Sequence, residues 1–170
     1  AQDCPWGFGR FIYDTLTDEH FCDRESFLAR STRTSLRNVK VSRTDQGPIW
    51  KSLHIAADAD GCITSDQAPG LQCEVRLYEP EKRIDFHFRM RKQYVNHPEA
   101  VYVAFPFAWP GGTIVYDAQG GLVTPGANQL PGSSADWHTV QSFVSVRDRD
   151  GQVVLGSDEI PLVQFGDINM

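Results

Sequence analysis

The chain has 170 residues, 41% of them hydrophobic and 22% charged, and a formal net charge of −6. That length supports one domain with a sizeable core. The acidic balance argues against a phosphate-binding surface for nucleic acid, and no stretch approaches the roughly 20 apolar residues of a membrane helix.

Residues 1–16 read as an irregular aromatic entry segment carrying Trp6, Phe8, Phe11, Ile12 and Tyr13, without the pattern of a signal peptide. The stretch 17–30 predicts one short N-terminal helix. Thr17 suits an N-cap, Asp18 and Glu19 suit the positive end of the helix dipole, and Phe21, Phe27 and Leu28 supply an apolar stripe. Residues 31–38 read as a polar linker. Arg24, Arg30, Arg33, Arg37, Lys40 and Arg43 make this early part locally basic, which a solvated connector explains better than an anion site. The expected division is therefore an entry segment, 1–38, packed on a β-sandwich, 39–170, as a single domain.

From Val39 onward the pattern is β. Strands are expected over 39–43, 49–57, 73–78, 83–92, 100–107, 113–117, 138–147, 152–158 and 162–165. Asp60-Gly61, Pro69-Gly70, Pro110-Gly111-Gly112, Gly120-Gly121 and Asp150-Gly151 separate them. The clearest unit is the hairpin Cys73–Lys92. Ile84, Phe86, Phe88 and Met90 alternate with Asp85, His87, Arg89 and Arg91, a period of two that places the apolar set on one face. Strands at this spacing predict a mainly β protein, a sandwich of antiparallel sheets.

Each group able to do chemistry has a plain structural reading beside it. Asp58-Ala-Asp60-Gly61 opens like a calcium loop but lacks the later ligands, so it reads as a tight turn. Arg147-Asp148-Arg149-Asp150-Gly151 reads as a hairpin turn with Gly151 left-handed. The five histidines, at 20, 54, 87, 97 and 138, show no chelating spacing, and no metal site is expected. Cys62 and Cys73 either bridge neighbouring strands or, the favoured reading, leave Cys73 as a buried thiol on the apolar face. Glu74 and Asp85 face the charged side of the hairpin, where cross-strand pairing with arginines accounts for them. The loop Ala118–Trp137 is too long for a turn. Its end, Gln129-Leu-Pro-Gly-Ser-Ser-Ala-Asp136-Trp137-His138, gathers hydrogen-bonding groups beside an aromatic ring, the combination a sugar site uses. The plainer account makes Trp137 a core plug and Asp136 a loop cap.

Several segments in order carry a family resemblance. They are Phe8-Gly-Arg-Phe-Ile-Tyr-Asp-Thr15, Gly47-Pro-Ile-Trp50, Leu77-Tyr78, Lys82-Arg-Ile-Asp-Phe86 and Glu99-Ala-Val-Tyr-Val-Ala-Phe-Pro-Phe107. Asn128-Gln-Leu-Pro-Gly-Ser133, Asp136-Trp137, Thr139-Val-Gln141 and Pro161-Leu-Val-Gln-Phe-Gly166 complete the series. Together they resemble the C-terminal β-sandwich region of α-mannosidase-like proteins, glycoside hydrolase family 38. The resemblance implies a large supersandwich of the galactose-mutarotase type. It also implies that the chain is a piece of a larger glycosidase, whose upstream catalytic domain carries the nucleophile and metal ligands. No catalytic residue, metal ligand or cofactor is then expected in this chain. Gln129, Asp136, Trp137 and His138 are the expected carbohydrate-binding or domain-interface residues. A stand-alone carbohydrate-binding module is the alternative.

Overall fold

The computed structural model describes residues 5–16, 29–44, 47–66, 68–107, 110–134, 137–157, 159–166 and 168. Its strands in chain order are β1 Arg10–Leu16, β2 Ser31–Thr34, β3 Arg37–Thr44, β4 Trp50–Asp58, β5 Leu71–Tyr78, β6 Ile84–Met90 and β7 Glu99–Ala104. There follow β8 Thr113–Ala118, β9 Gly121–Val123, β10 His138–Thr139, β11 Phe143–Arg147, β12 Gln152–Gly156 and β13 Leu162–Val163. All pairings between them are antiparallel. The chain divides into two compact units, Asp3–Pro106 and Phe107–Met170, the latter grouped with Ala1–Gln2.

In the first unit a three-stranded sheet, ordered β2-β1-β7, faces a four-stranded sheet ordered β3-β4-β5-β6. Phe11 and Tyr13 from β1 meet Leu71 from β5 and Ala59, with Leu36, Cys62 and Phe88 packed around them. The region read as an irregular entry segment thus contains the centre of a sheet. Phe11, Ile12, Tyr13 and Leu16 are all buried, so both faces of β1 are covered. Strands buried on both faces lose the alternation that reveals a half-buried strand. Within 31–38, read as a linker, β2 pairs with β1 from Tyr13↔Thr34 to Leu16↔Ser31. The helix expected over 17–30 is not borne out. Residues 17–28 lie outside the described ones, and only Ala29–Arg30 have helical backbone before the chain extends at Ser31.

The hairpin β5–β6 forms in the expected register, with Val75 opposite Phe86 and Cys73 opposite Phe88. Its apolar face is covered unevenly. Leu71 and Cys73 are buried, Phe86 and Phe88 are half-buried, but Ile84 and Met90 are exposed at 47% and 38%. Of the four side chains that share this face, only the two phenylalanines are covered. β6 is an edge strand, and the covering core reaches it at Phe88.

The second unit sets a four-stranded sheet, ordered β12-β11-β8-β9, with a short ribbon of β10 and β13. Tyr116, Val140 and Val144 form its core, with Ile114, Val123, Val163 and Phe165 packed against them. The β11–β12 hairpin closes as expected at Asp148–Gly151, but not through a left-handed Gly151, which has no positive φ. Instead the Asp148 side chain accepts hydrogen bonds from the backbone N–H groups of Asp150 (2.8 Å) and Gly151 (3.0 Å). An Asx turn replaces the glycine turn.

Candidate functional site

Alternation along β4, β5 and β6 sends Trp50, Ser52 and His54 to the same side as Glu74, Arg76 and Tyr78, and as Asp85 and His87. The register aligns them in rows: Trp50 beside Tyr78, Ser52 beside Arg76 beside Asp85, His54 beside Glu74 beside His87. Arg76 grips Glu74 with two N–H groups, each at 2.9 Å, and Ser52 donates to the same carboxylate at 2.7 Å. Asp85 accepts the Tyr78 hydroxyl at 2.8 Å and the Arg83 guanidinium at 2.7 and 3.0 Å. Each arginine also lies over a ring, Arg76 at 5.2 Å from the Trp50 centroid and Arg83 at 4.9 Å from that of Tyr78. The two rings are 5.8 Å apart.

The pairing expected across the hairpin therefore runs along each strand. Residues two apart on a strand share a face, and both Glu74–Arg76 and Arg83–Asp85 use that spacing. The Arg76 hydrogen bonds, then that of Ser52, hold the Glu74 carboxyl down at about 2. Arg83, against some burial, lowers Asp85 likewise. Both carboxylates stay ionised at neutral pH and are held by guanidinium groups, an arrangement suited to fixed polar contacts and unsuited to proton transfer. His54 and His87 sit two strands apart, on either side of Glu74. Among the described residues no cluster of three metal-ligating side chains forms. Cys62 and Cys73 are both free, and burial pushes the Cys73 thiol up to about 11.

The loop singled out in the sequence lies in the second unit and is internally tied. Asn128 accepts from the Thr124 N–H at 2.7 Å and Gln129 from the Gly126 N–H at 2.8 Å. Asn128 also donates to the Leu122 carbonyl at 3.2 Å, and the Ser133 hydroxyl donates to the Leu130 carbonyl at 2.7 Å. Gln129 thus turns its side-chain oxygen onto its own loop. Leu130 stands 81% exposed, and Trp137 is half-buried. His138 is buried at 3%, its Nδ1 3.2 Å from the Tyr116 hydroxyl and its ring 4.9 Å from that of Phe165. It faces the core and anchors the end of the loop. Asp136 lies outside the described residues.

Two arrangements escaped the sequence reading. One is the Trp50–Arg76–Tyr78 group, whose signal was the shared face of Trp50, Ser52 and His54 opposite Glu74, Arg76 and Tyr78. The other is Asp117, whose Oδ1 accepts backbone N–H groups from Gln141, Ser142 and Phe143 at 3.2, 2.9 and 2.9 Å. No local pattern links residues 24 or more positions apart.

The family model for the glycosyl hydrolases family 38 C-terminal domain matches residues 23–159. No curated protein and no solved structure matches the chain.

Proposed function

The chain belongs to the glycosyl hydrolase family 38 C-terminal domains, and on that premise we propose that it supports a glycosidase's catalytic domain and lends the Gln129–His138 loop to carbohydrate contact. A C-terminal domain of this family implies a catalytic domain in the same polypeptide. The observation that carries the reading is the construction of the loop. Its backbone is tied by the side chains of Asn128, Gln129 and Ser133, and it ends on a histidine locked into the core. Hydrogen bonds of this kind hold the described residues 122–133 before any ligand arrives, which lowers the ordering cost of a contact made from this loop. Asp136 and Trp137 are the contact residues in this reading, and Gln129 and His138 hold their shape.

The test uses the full-length protein. Asp136→Ala and Trp137→Ala should each lower kcat/KM on a glycoside substrate by about 10- to 100-fold, the scale of lost positioning, while this domain melts within a few degrees of the parent. His138→Ala should instead lower the melting temperature. If Asp136→Ala unfolds the domain and activity per folded molecule is unchanged, Asp136 is a loop cap and the loop has no part in substrate contact. The 170-residue chain alone, given an aryl mannoside with or without zinc, should show no turnover. Turnover that vanished on changing one of its own carboxylates would overturn the supporting role.

A further inference from the structure

We propose that the outward face of the four-stranded sheet, around Trp50, Arg76, Glu74, Tyr78 and Asp85, binds a neutral glycan. The site is separate from the Gln129–His138 loop. The proposal rests on the glycosidase reading for the class of ligand and on the sheet itself for the place.

The charge arrangement selects the ligand. Beside the two rings each guanidinium has its own carboxylate, Arg76 with Glu74 and Arg83 with Asp85; Arg89 stands farther along β6, opposite Gln72. The positive charges are therefore answered locally, and a phosphate or sulfate would have to compete with a carboxylate already in bidentate contact. The carboxylates are equally unavailable to a cation. What remains is a set of directional, uncharged opportunities. An arginine has five N–H donors, more than the two that bind Glu74, and a carboxylate oxygen can accept twice. Arg76 and Glu74 keep 30% and 23% of their side-chain surface open to solvent, so those spare donors and acceptors are within reach of a ligand. Side by side on one strand, they present what two neighbouring hydroxyls need.

The rings supply the other half. Trp50 and Tyr78 are both half-buried and sit beside the polar groups, so a sugar ring can lay its apolar face on an aromatic while its hydroxyls reach Arg76 and Glu74. Rigidity favours binding too. Arg76 is fixed by Glu74 and by its stacking on Trp50, Glu74 by Ser52, and Tyr78 by Asp85. Side chains immobilised before the ligand arrives lose little further freedom on association. His54 and His87 border Glu74 in the same row and close the site along the sheet.

The test follows the tryptophan indole N–H signals of the 170-residue chain by NMR during titration with mannobiose, with inorganic phosphate as the anion control. Trp50→Phe assigns its signal. The Trp50 signal should move saturably with mannobiose and stay still with phosphate. Trp50→Ala should weaken binding by about tenfold or more, as truncating an aromatic anchor does. Tyr78→Phe, which keeps the ring and removes the hydroxyl's hydrogen bonds to Asp85 and Arg76, should weaken it less and remain folded. Arg149→Ala, at the exposed β11–β12 turn, should leave mannobiose affinity unchanged. A Trp50 signal that is unmoved by sugar, or that moves with phosphate, overturns the proposal. A shift confined to Trp137 also overturns it and leaves the loop reading standing, while loss of activity in the loop variants of the full-length protein is decided independently of this titration.

Discussion

The ring of Tyr13 occupies the space that a side chain at Gly61 would need. A β-carbon built on that glycine would lie 2.5 Å from Cε2 and 2.7 Å from Cζ of the tyrosine. Gly61 also has a φ of 70°, in the left-handed region where a side chain is strained. The turn expected at Asp60-Gly61 is therefore glycine for two independent reasons, backbone conformation and close approach. Gly61→Ala should cost about 2–5 kcal/mol, combining left-handed strain with overpacking against a buried ring. Denaturant unfolding measures it, and a loss below about 1 kcal/mol would mean that Tyr13 moves aside freely.

Tyr13 should also resist ionisation. Burial first, then its 2.5 Å hydrogen bond to Glu99, push its hydroxyl from 10.0 up to about 12. The folded value lies above the unfolded one, so this contribution to stability is complete below pH 10.0 and fades as the pH rises through about 12. In an ultraviolet titration Tyr13 should ionise late, and Tyr78 and Tyr102 are also raised above the ordinary value. Glu99→Gln should bring that late transition down, since it removes the anionic acceptor.

The Glu74 carboxylate makes the opposite prediction. Its value falls from 4.5 to about 2 because Arg76, then Ser52, hydrogen-bond the charged form. The stabilisation is complete above pH 4.5 and is lost as the pH falls towards 2. The melting temperatures of the parent and Glu74→Gln should differ most near neutrality and converge in acid. A difference that persists unchanged at low pH would mean that the carboxylate's charge has no part in it.

Asp117 should hold the start of β11 in place. Burial raises its carboxyl, but the backbone N–H groups of Phe143, Ser142 and Gln141 outweigh this and leave it lowered. Asp117→Ala would leave all three donors without that acceptor. Amide exchange at Gln141–Phe143 should then quicken well beyond that of the β5–β6 hairpin. Equal change in both places would point to global loss of stability.

Burial ranks the phenylalanines. Phe11 is 2% exposed at the centre of the core, so Phe11→Ala should cost about 3–5 kcal/mol. Phe86 is half-buried among Phe8, Phe88 and Phe105, and its truncation should cost roughly 1.5–3 kcal/mol. Arg89→Ala, at an exposed position, should cost under about 1 kcal/mol. Unfolding midpoints that reverse the order of Phe11 and Phe86 would contradict this packing.

What the sequence determined by itself is whatever neighbouring residues decide. The alternation of Ile84–Met90 against Cys73–Leu77, and the turns at Asp60-Gly61 and Asp148–Gly151, are local, and they made the hairpins and the β class legible. Strand β1 was hidden because burial on both faces erases the period that marks a strand. Only the tertiary structure decided the rest. Whether Ile84 is covered depends on how far the facing sheet extends, and whether His138 is free depends on Tyr116, 22 positions away. Glu74 looked like any surface carboxylate until the register set Ser52 beside Arg76 and Trp50 beside Tyr78. Cross-strand neighbours are chosen by hydrogen bonding between segments, and a side chain's polar partners follow from that choice.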